Sequence, residues 1–234
     1  MGIINVTPDS FSDGGKFFTA EEALRRARNL LSEGADILDI GGESTRPGAT
    51  PIEWSEEWRR VEPVLAGLAG SPAILSIDTY HPETARRALA LGVRIVNCVR
   101  PESVPDMIAI VTENPGAELV LPASERALAA AVPGLAGRCW LDPMIGFGTT
   151  REEDLARLRA IGELAKEGRV LVGASRKRIV KRLTGVKVGG KDLAGNLAIA
   201  VWCALHGASA VRVHDVAETV QALKVIQSLK EVQS

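Results

Sequence analysis

Eight short runs of β-branched and other apolar residues recur along the chain, and they restrict its fold more than any other feature. They are Ile3-Ile4, Ile37 to Ile40, Ile74 to Ile77, Val93 to Val96, Leu119 to Leu121, Trp140-Leu141, Val170 to Val172 and Val211 to Val213. Runs of this kind, as opposed to alternating ones, suit parallel strands covered on both faces.

Helix-like segments lie between the runs. Thr19-Ala20-Glu21-Glu22 and Thr150-Arg151-Glu152-Glu153 have the capping-box pattern. Gly34, Gly92, Gly168 and Gly207 sit where helices would stop before the next strand. Ala23, Leu24, Ala27, Leu30 and Leu31 give the first helix one apolar stripe, and Ser103 to Thr112, Leu155 to Lys166 and Val216 to Leu229 read the same way. Strand and helix in strict alternation predict a single α/β domain over residues 1–234, a (β/α)8 barrel. The competing architecture, an open doubly wound sheet with a dinucleotide site, would want a GxGxxG after a strand, and there is none.

Composition narrows the function. The 28 basic and 29 acidic residues nearly cancel, so no global field marks a nucleic-acid or membrane binder. Any anion must be held by a local site. Cys98, Cys139 and Cys203 are scattered and odd in number, which argues against a zinc site or a disulfide framework and fits a reducing cytosol. No export signal or membrane-length apolar run is seen, so a soluble cytoplasmic protein is the expectation.

In a barrel of this type the active site lies at the carboxyl ends of the strands. The residues that end or follow the runs are Asn5; Gly41 to Arg46; Asp78; Asn97; Asp142; Gly173 to Lys177; and Arg212 to His214. Strand five, ending Leu121-Pro122, offers nothing obvious. Asp78 and Asp142 beside the Asn97 amide could accept the N–H donors of a flat heterocycle. Asp78 alone reads equally well as a helix cap. Lys177, Arg212 and His214, with Arg46, form a cationic group of the kind a diphosphate needs, although Lys177 alone reads as a solvated helix residue. Asn5 and Asp13 could give oxygen ligands to a Mg²⁺ that keeps waters and shares the phosphates. His81 and His206 look structural. Long loops holding Asp13-Gly14-Gly15 and Arg46-Pro47-Gly48 suggest lids.

Asn5-Val6-Thr7-Pro8-Asp9-Ser10-Phe11-Ser12-Asp13-Gly14-Gly15 and Asp39-Ile40-Gly41-Gly42-Glu43-Ser44-Thr45-Arg46-Pro47-Gly48 resemble the two signatures of the dihydropteroate synthase family. Ser76 to Thr79, Leu141-Asp142-Pro143 with Gly146-Phe147-Gly148, Ser175-Arg176-Lys177 and Arg212 to Val216 follow in that family's order. The resemblance implies a transferase that joins 6-hydroxymethyl-7,8-dihydropterin diphosphate to p-aminobenzoate, giving 7,8-dihydropteroate and pyrophosphate in folate biosynthesis. It implies that Asp78, Asn97, Asp142 and Lys177 hold the pterin, and that Asn5, Arg212 and His214 hold the diphosphate and Mg²⁺. Asp13, Thr45, Arg46 and Pro47 would close over the site, and Phe147, Lys177 and Arg178 would frame the arylamine. Asp13, Lys177, Arg212 and His214 are the catalytic candidates. A homodimer paired through barrel helices is also implied.

The chain departs from the family at Cys98 to Pro101, at Leu121-Pro122, in the short segment from Ala123 to Gly137, at Thr149 where lysine is usual, and at Asn196 where serine is common. Most of these flank the pterin pocket, which motivates a second reading: a paralogue that binds pterin without condensing it. A third, a pterin-dependent methyltransferase, has no need of the pyrophosphate clamp seen here.

Overall fold

A computed structural model of the protein describes residues 1–7, 20–44, 50–186 and 192–231. All eight strands are present: β1 Gly2–Asn5, β2 Ile37–Gly41, β3 Ile74–Asp78, β4 Ile95–Asn97, β5 Glu118–Pro122, β6 Cys139–Asp142, β7 Arg169–Val172 and β8 Ala210–Val211. They are hydrogen-bonded in sequence order, every pair parallel. The ring closes because Ile3 N–H donates to the Val213 carbonyl and Val213 N–H donates to Met1, at 3.1 and 3.0 Å. The architecture is the predicted (β/α)8 barrel.

The helices are α1 Ala20–Ser32, α2 Trp54–Gly67, α3 Pro82–Ala90, α4 Val104–Glu113, α5 Arg126–Ala130, α6 Arg151–Arg159, α7 Ile161–Glu167, α8 Arg178–Thr184, α9 Leu193–Leu205 and α10 Val216–Glu231. Thr150 caps α6 as expected, in a reciprocal capping box with Glu153. The other box begins at Thr19, outside the described residues. Three boundaries differ from expectation. The segment Leu155 to Lys166 is two helices broken at Ala160. Strand β4 starts at Ile95, two residues late. Val213 joins the barrel only through a single bridge to Gly2. Gly34, Gly92 and Gly207 take the left-handed conformation that a helix stop requires, whereas Gly168 is extended and runs straight into β7.

Side chains alternate across a strand, so every second residue of a run faces the barrel interior. Those interior positions change character along the axis. At the lower end Met1, Ile37, Ile95, Val120, Trp140 and Leu171 form one buried apolar cluster, with Ile74 and Ala210 against it. Two residues further along the same strands come Asp39, Ser76, Asn97, Asp142 and Arg212. The intervening residues, such as Leu38, Ile40, Leu75, Ile77, Val96, Leu119 and Leu121, face outward and pack under α1 to α4. Apolar cover outside and an apolar plug below leave one polar end, the carboxyl end of the strands.

Candidate active site

Asp39 organises the polar end. It is fully buried inside β2, and its carboxylate accepts from Ser76 Oγ at 2.6 Å, from Asn97 Nδ2 at 3.2 Å and from Arg212 Nε at 2.5 Å. The other arm of the Arg212 guanidinium donates to Asp78 Oδ2 at 2.6 Å. One cation from the end of β8 is thus shared by two carboxylates from β2 and β3. Asp78 caps no helix: α3 begins at an N-cap that is His81 and has no side-chain cap. Asn97 is buried, and its Oδ1 has no hydrogen-bond partner among the described residues. A buried acceptor without a donor is a shortfall that a ligand N–H would offset.

Above this floor lies a cavity of about 270 Å³ whose wall includes Asn5, Asp78, Ser175, Lys177, Arg212 and His214. Lys177 is no solvated helix residue. Its ammonium donates to the Ile145 carbonyl at 2.6 Å and lies 4.0 Å from the centre of the Phe147 ring. His214 is tied to Ser175 Oγ at 3.1 Å through Nδ1. Asp142 Oδ1 accepts the Met144 N–H at 2.6 Å, and Asp142 borders a second depression with Pro143, Met144 and Arg157. Arg178 is exposed at the start of α8, beside Lys177. Asp13, Thr45, Arg46 and Pro47 lie outside the described residues. His81 bonds Glu43 at 3.2 Å, and His206 stacks on Trp202 with centroids 3.9 Å apart.

Among the described residues two that are not glycine have positive φ, Met144 at 59° and Arg176 at 58°, and both stand in loops that border the site. Such conformations cost about 1–3 kcal/mol each and persist only where the surroundings hold them. Arg157 Nη1 donates to the Met144 carbonyl at 2.6 Å. Asn196 Oδ1 accepts the Arg176 N–H at 2.9 Å, and Asp215 accepts from its guanidinium at 2.5 Å. Asn196, a departure from the family pattern, therefore supports the loop that presents Lys177.

The expected cationic group carries less positive charge than its composition suggests. Burial, aided by Arg176 and Arg212, takes His214 down to about 4, so it is a neutral hydrogen-bonding group at pH 7. Burial also lowers Lys177 to about 8; Arg212 adds to the fall, while Asp142, Asp78 and Asp154 oppose it. Burial raises Asp78 to about 7, with Asp39 and Glu57 adding to the rise and Arg212 and Lys177 resisting it. Asp142 is raised by burial too, against Lys177. Arg212 loses by burial but gains more from Asp39 and Asp78, and it ends above its ordinary value. Burial disfavours the charged form of both Arg212 and Asp78. The guanidinium is much further from neutrality, so it keeps its proton and Asp78 is the partner that titrates.

Asp39 is the residue that reading the strand ends overlooks. Its signal is a carboxylate inside an otherwise apolar run, which a strand covered on both faces tolerates only with a partner.

A family profile described as pterin binding enzyme matches residues 1–132 and 117–214 of the chain. The dihydropteroate synthase of Staphylococcus haemolyticus is 38% identical over 253 residues, spanning 99% of this chain and 94% of that protein. The enzyme of the same name from Neisseria meningitidis serogroup B is 40% identical over 261 residues, spanning 98% and 92%. Among solved structures, Xanthomonas albilineans dihydropteroate synthase with 4-aminobenzoic acid superposes with a TM-score of 0.90 at 39% identity, covering 98% of this chain and 92% of that one. Sequence, strand order and the two signatures agree, and the chain belongs to the dihydropteroate synthase family of pterin-binding enzymes.

Proposed function

We infer that the chain condenses 6-hydroxymethyl-7,8-dihydropterin diphosphate with p-aminobenzoate, releasing pyrophosphate and forming 7,8-dihydropteroate. The observation that carries the site assignment is the floor of Asp39, Asp78 and Asn97 around Arg212, beneath a cavity walled by Lys177 and His214. A pterin presents amide and amino N–H groups along one edge, which carboxylates and the unpartnered Asn97 oxygen can accept. Structures of Xanthomonas albilineans dihydropteroate synthase with 4-aminobenzoic acid and with 7,8-dihydropteroate support the substrate pair. The same relatives favour the enzyme over a non-catalytic pterin-binding paralogue.

In this reading the carbon–oxygen bond to the diphosphate breaks before the arylamine attacks. Lys177 and Arg212 offset the charge on the departing oxygens, and neutral His214 contributes a hydrogen bond. Asp78 and Asp142 face the ring and stabilise the positive charge left on it. The arylamine nitrogen is the nucleophile, so no protein nucleophile is needed. The three thiols suit no such role: all are buried, and burial pushes Cys98 and Cys139 up to about 11 and Cys203 to about 12.

For Mg²⁺, the donor set is sparse but of the right kind. No cluster of three or more His, Cys, Asp or Glu able to hold a metal occurs among the described residues, while the Asn5 amide stands on the cavity wall. One amide oxygen suits a hydrated Mg²⁺ that takes its remaining ligands from phosphates and water. Bound there, the ion would neutralise charge on the leaving pyrophosphate.

A homodimer is proposed on a separate surface. Trp202 and Leu205 on α9 and Val225 and Leu229 on α10 are exposed large apolar side chains on neighbouring helices. Sedimentation equilibrium should give twice the chain mass. Three unpaired buried cysteines support a reducing compartment such as the cytoplasm, and no described helix is long and apolar enough to cross a membrane.

The test of the activity is product detection by mass after incubation with dihydropterin diphosphate, p-aminobenzoate and Mg²⁺. Wild-type protein should form dihydropteroate, and Lys177→Met should form it about 100-fold more slowly or worse, about 2.7 kcal/mol of transition-state stabilisation. Lys177→Met is the preferred control because it keeps an unbranched side chain of similar length beside the Phe147 ring, and its melting temperature is read alongside. Pterin binding without product would overturn the catalytic reading.

A further inference from the structure

We propose that Asp154 is a positioning residue for Lys177, acting through the loop between β6 and α6 and through its own charge. Asp154 stands in the first turn of α6, outside the cavity wall, and is 1% exposed. Its Oδ1 accepts two donors from the loop, Gly146 N–H at 2.8 Å and Thr149 Oγ1 at 2.5 Å. Ile145, next to Gly146, supplies the carbonyl that holds the Lys177 ammonium, and Phe147 supplies the ring beneath it. The fit is close: a Cβ at Gly146 would come within 2.9 Å of Lys177 Cδ. Thr149, where the family usually has lysine, is thereby half of the anchor.

Hydrogen bonding alone does not explain a carboxylate here. An asparagine oxygen would satisfy the same two donors, and Oδ2 is buried with no hydrogen-bond partner among the described residues. Burying a carboxylate with one idle oxygen is expensive unless a cation faces it. The cation whose charged form Asp154 favours is Lys177. The charged groups that act on Lys177 come from every side: Asp142 on β6, Asp78 on β3, Arg212 after β8 and Asp154 on α6. Asp154 differs from the other three in lying outside the described cavity and its floor, so its removal changes Lys177 without removing a substrate contact.

This inference rests on the pterin-binding reading, and the measurement is therefore binding, not turnover: calorimetric titration of 6-hydroxymethyl-7,8-dihydropterin diphosphate into Asp154→Asn, Asp154→Ala and wild type from pH 6.5 to 9. Asp154→Asn keeps the shape and both loop bonds but drops the charge. Its affinity at pH 6.5 should match wild type, and its loss of affinity on the alkaline side should begin about half a unit to one unit lower, because Lys177 gives up its proton sooner. Asp154→Ala frees the loop and should bind about tenfold more weakly or worse at every pH. A purely structural residue would lower the melting temperature of both variants and leave the pH profile of the folded fraction in place. Superimposed profiles for Asp154→Asn and wild type would overturn the charge role, and unchanged affinity in Asp154→Ala would overturn the whole proposal. Wild type that binds the diphosphate but makes no product would defeat the catalytic reading and leave this test intact.

Discussion

The two ends of the barrel interior are built from the same strands and obey opposite rules. At the lower end Leu171, Val120 and Ile95 are buried against Trp140 and Met1, and burial is favourable for each. Towards the carboxyl ends of the strands, burial works against the occupant. Asp39, Asp78, Asp142, Arg212 and Lys177 are ionisable groups withdrawn from water and kept by one another. On β2 and β6 a step of two residues, from Ile37 to Asp39 and from Trp140 to Asp142, takes the interior from apolar plug to polar floor. The lower end supplies the stability that lets the upper end carry unfavourable charge, in line with the division of labour between the two faces of such barrels.

Breaking the upper end at its centre should have the largest effect. Arg212→Ala leaves Asp39 and Asp78 facing each other without their cation, a change expected to cost about 3–5 kcal/mol. Activity should be lost as well. Asp78 already titrates near 7, and without Arg212 it rises further. A group raised in the folded state adds stability as pH falls, so denaturant unfolding should show the deficit shrinking between pH 8 and pH 6. An equal deficit at both would mean that Asp78 is not the titrating partner. The complementary break is Leu171→Ala in the plug. It should cost about 2–5 kcal/mol through lost burial and a cavity, with kcat of the folded enzyme unchanged. A fall in kcat there would show that the two ends are mechanically coupled.

The outer half of this arrangement is legible in the sequence, and the inner half only partly. Runs such as Ile74 to Ile77 announce a strand covered on both faces, and the eight together announce the barrel. Residues that end a run, Asp78, Asn97 and Asp142, follow from the rule that sites lie at carboxyl ends. What a run conceals is its inward face. Asp39 and Ser76 sit within apolar stretches and become site residues only when alternation and register are known, since Asp39 pairs across to Ser76. Charge state is hidden as well. His214 reads as a cation by residue type, but its neutral form depends first on burial and then on Arg176 and Arg212, and neither burial nor the approach of Arg176 can be read from the chain. Asp154 is the furthest from view, because in sequence it is one acid among three in the first turn of a capped helix.

The smallest of these effects separates His214 from the carboxylates around it. Folding lowers its pKa from 6.5 to about 4, so between those values the unfolded chain binds a proton that the folded chain refuses. Its contribution to stability is whole above pH 6.5 and disappears as pH falls through about 4. His214→Gln cannot titrate, and Ser175 Oγ, which accepts the backbone N–H of residue 214, remains in place. Chemical unfolding at pH 7 and pH 4.5 should therefore show wild type losing about 1–3 kcal/mol more than the variant. Glutamates and aspartates titrate in the same window, but they do so in both proteins, and the difference between the two isolates residue 214. Equal losses would mean that folding leaves His214 at its ordinary value. Part of its population would then meet a diphosphate as a cation near neutrality, and the upper end of the barrel would be a more cationic site than its burial allows.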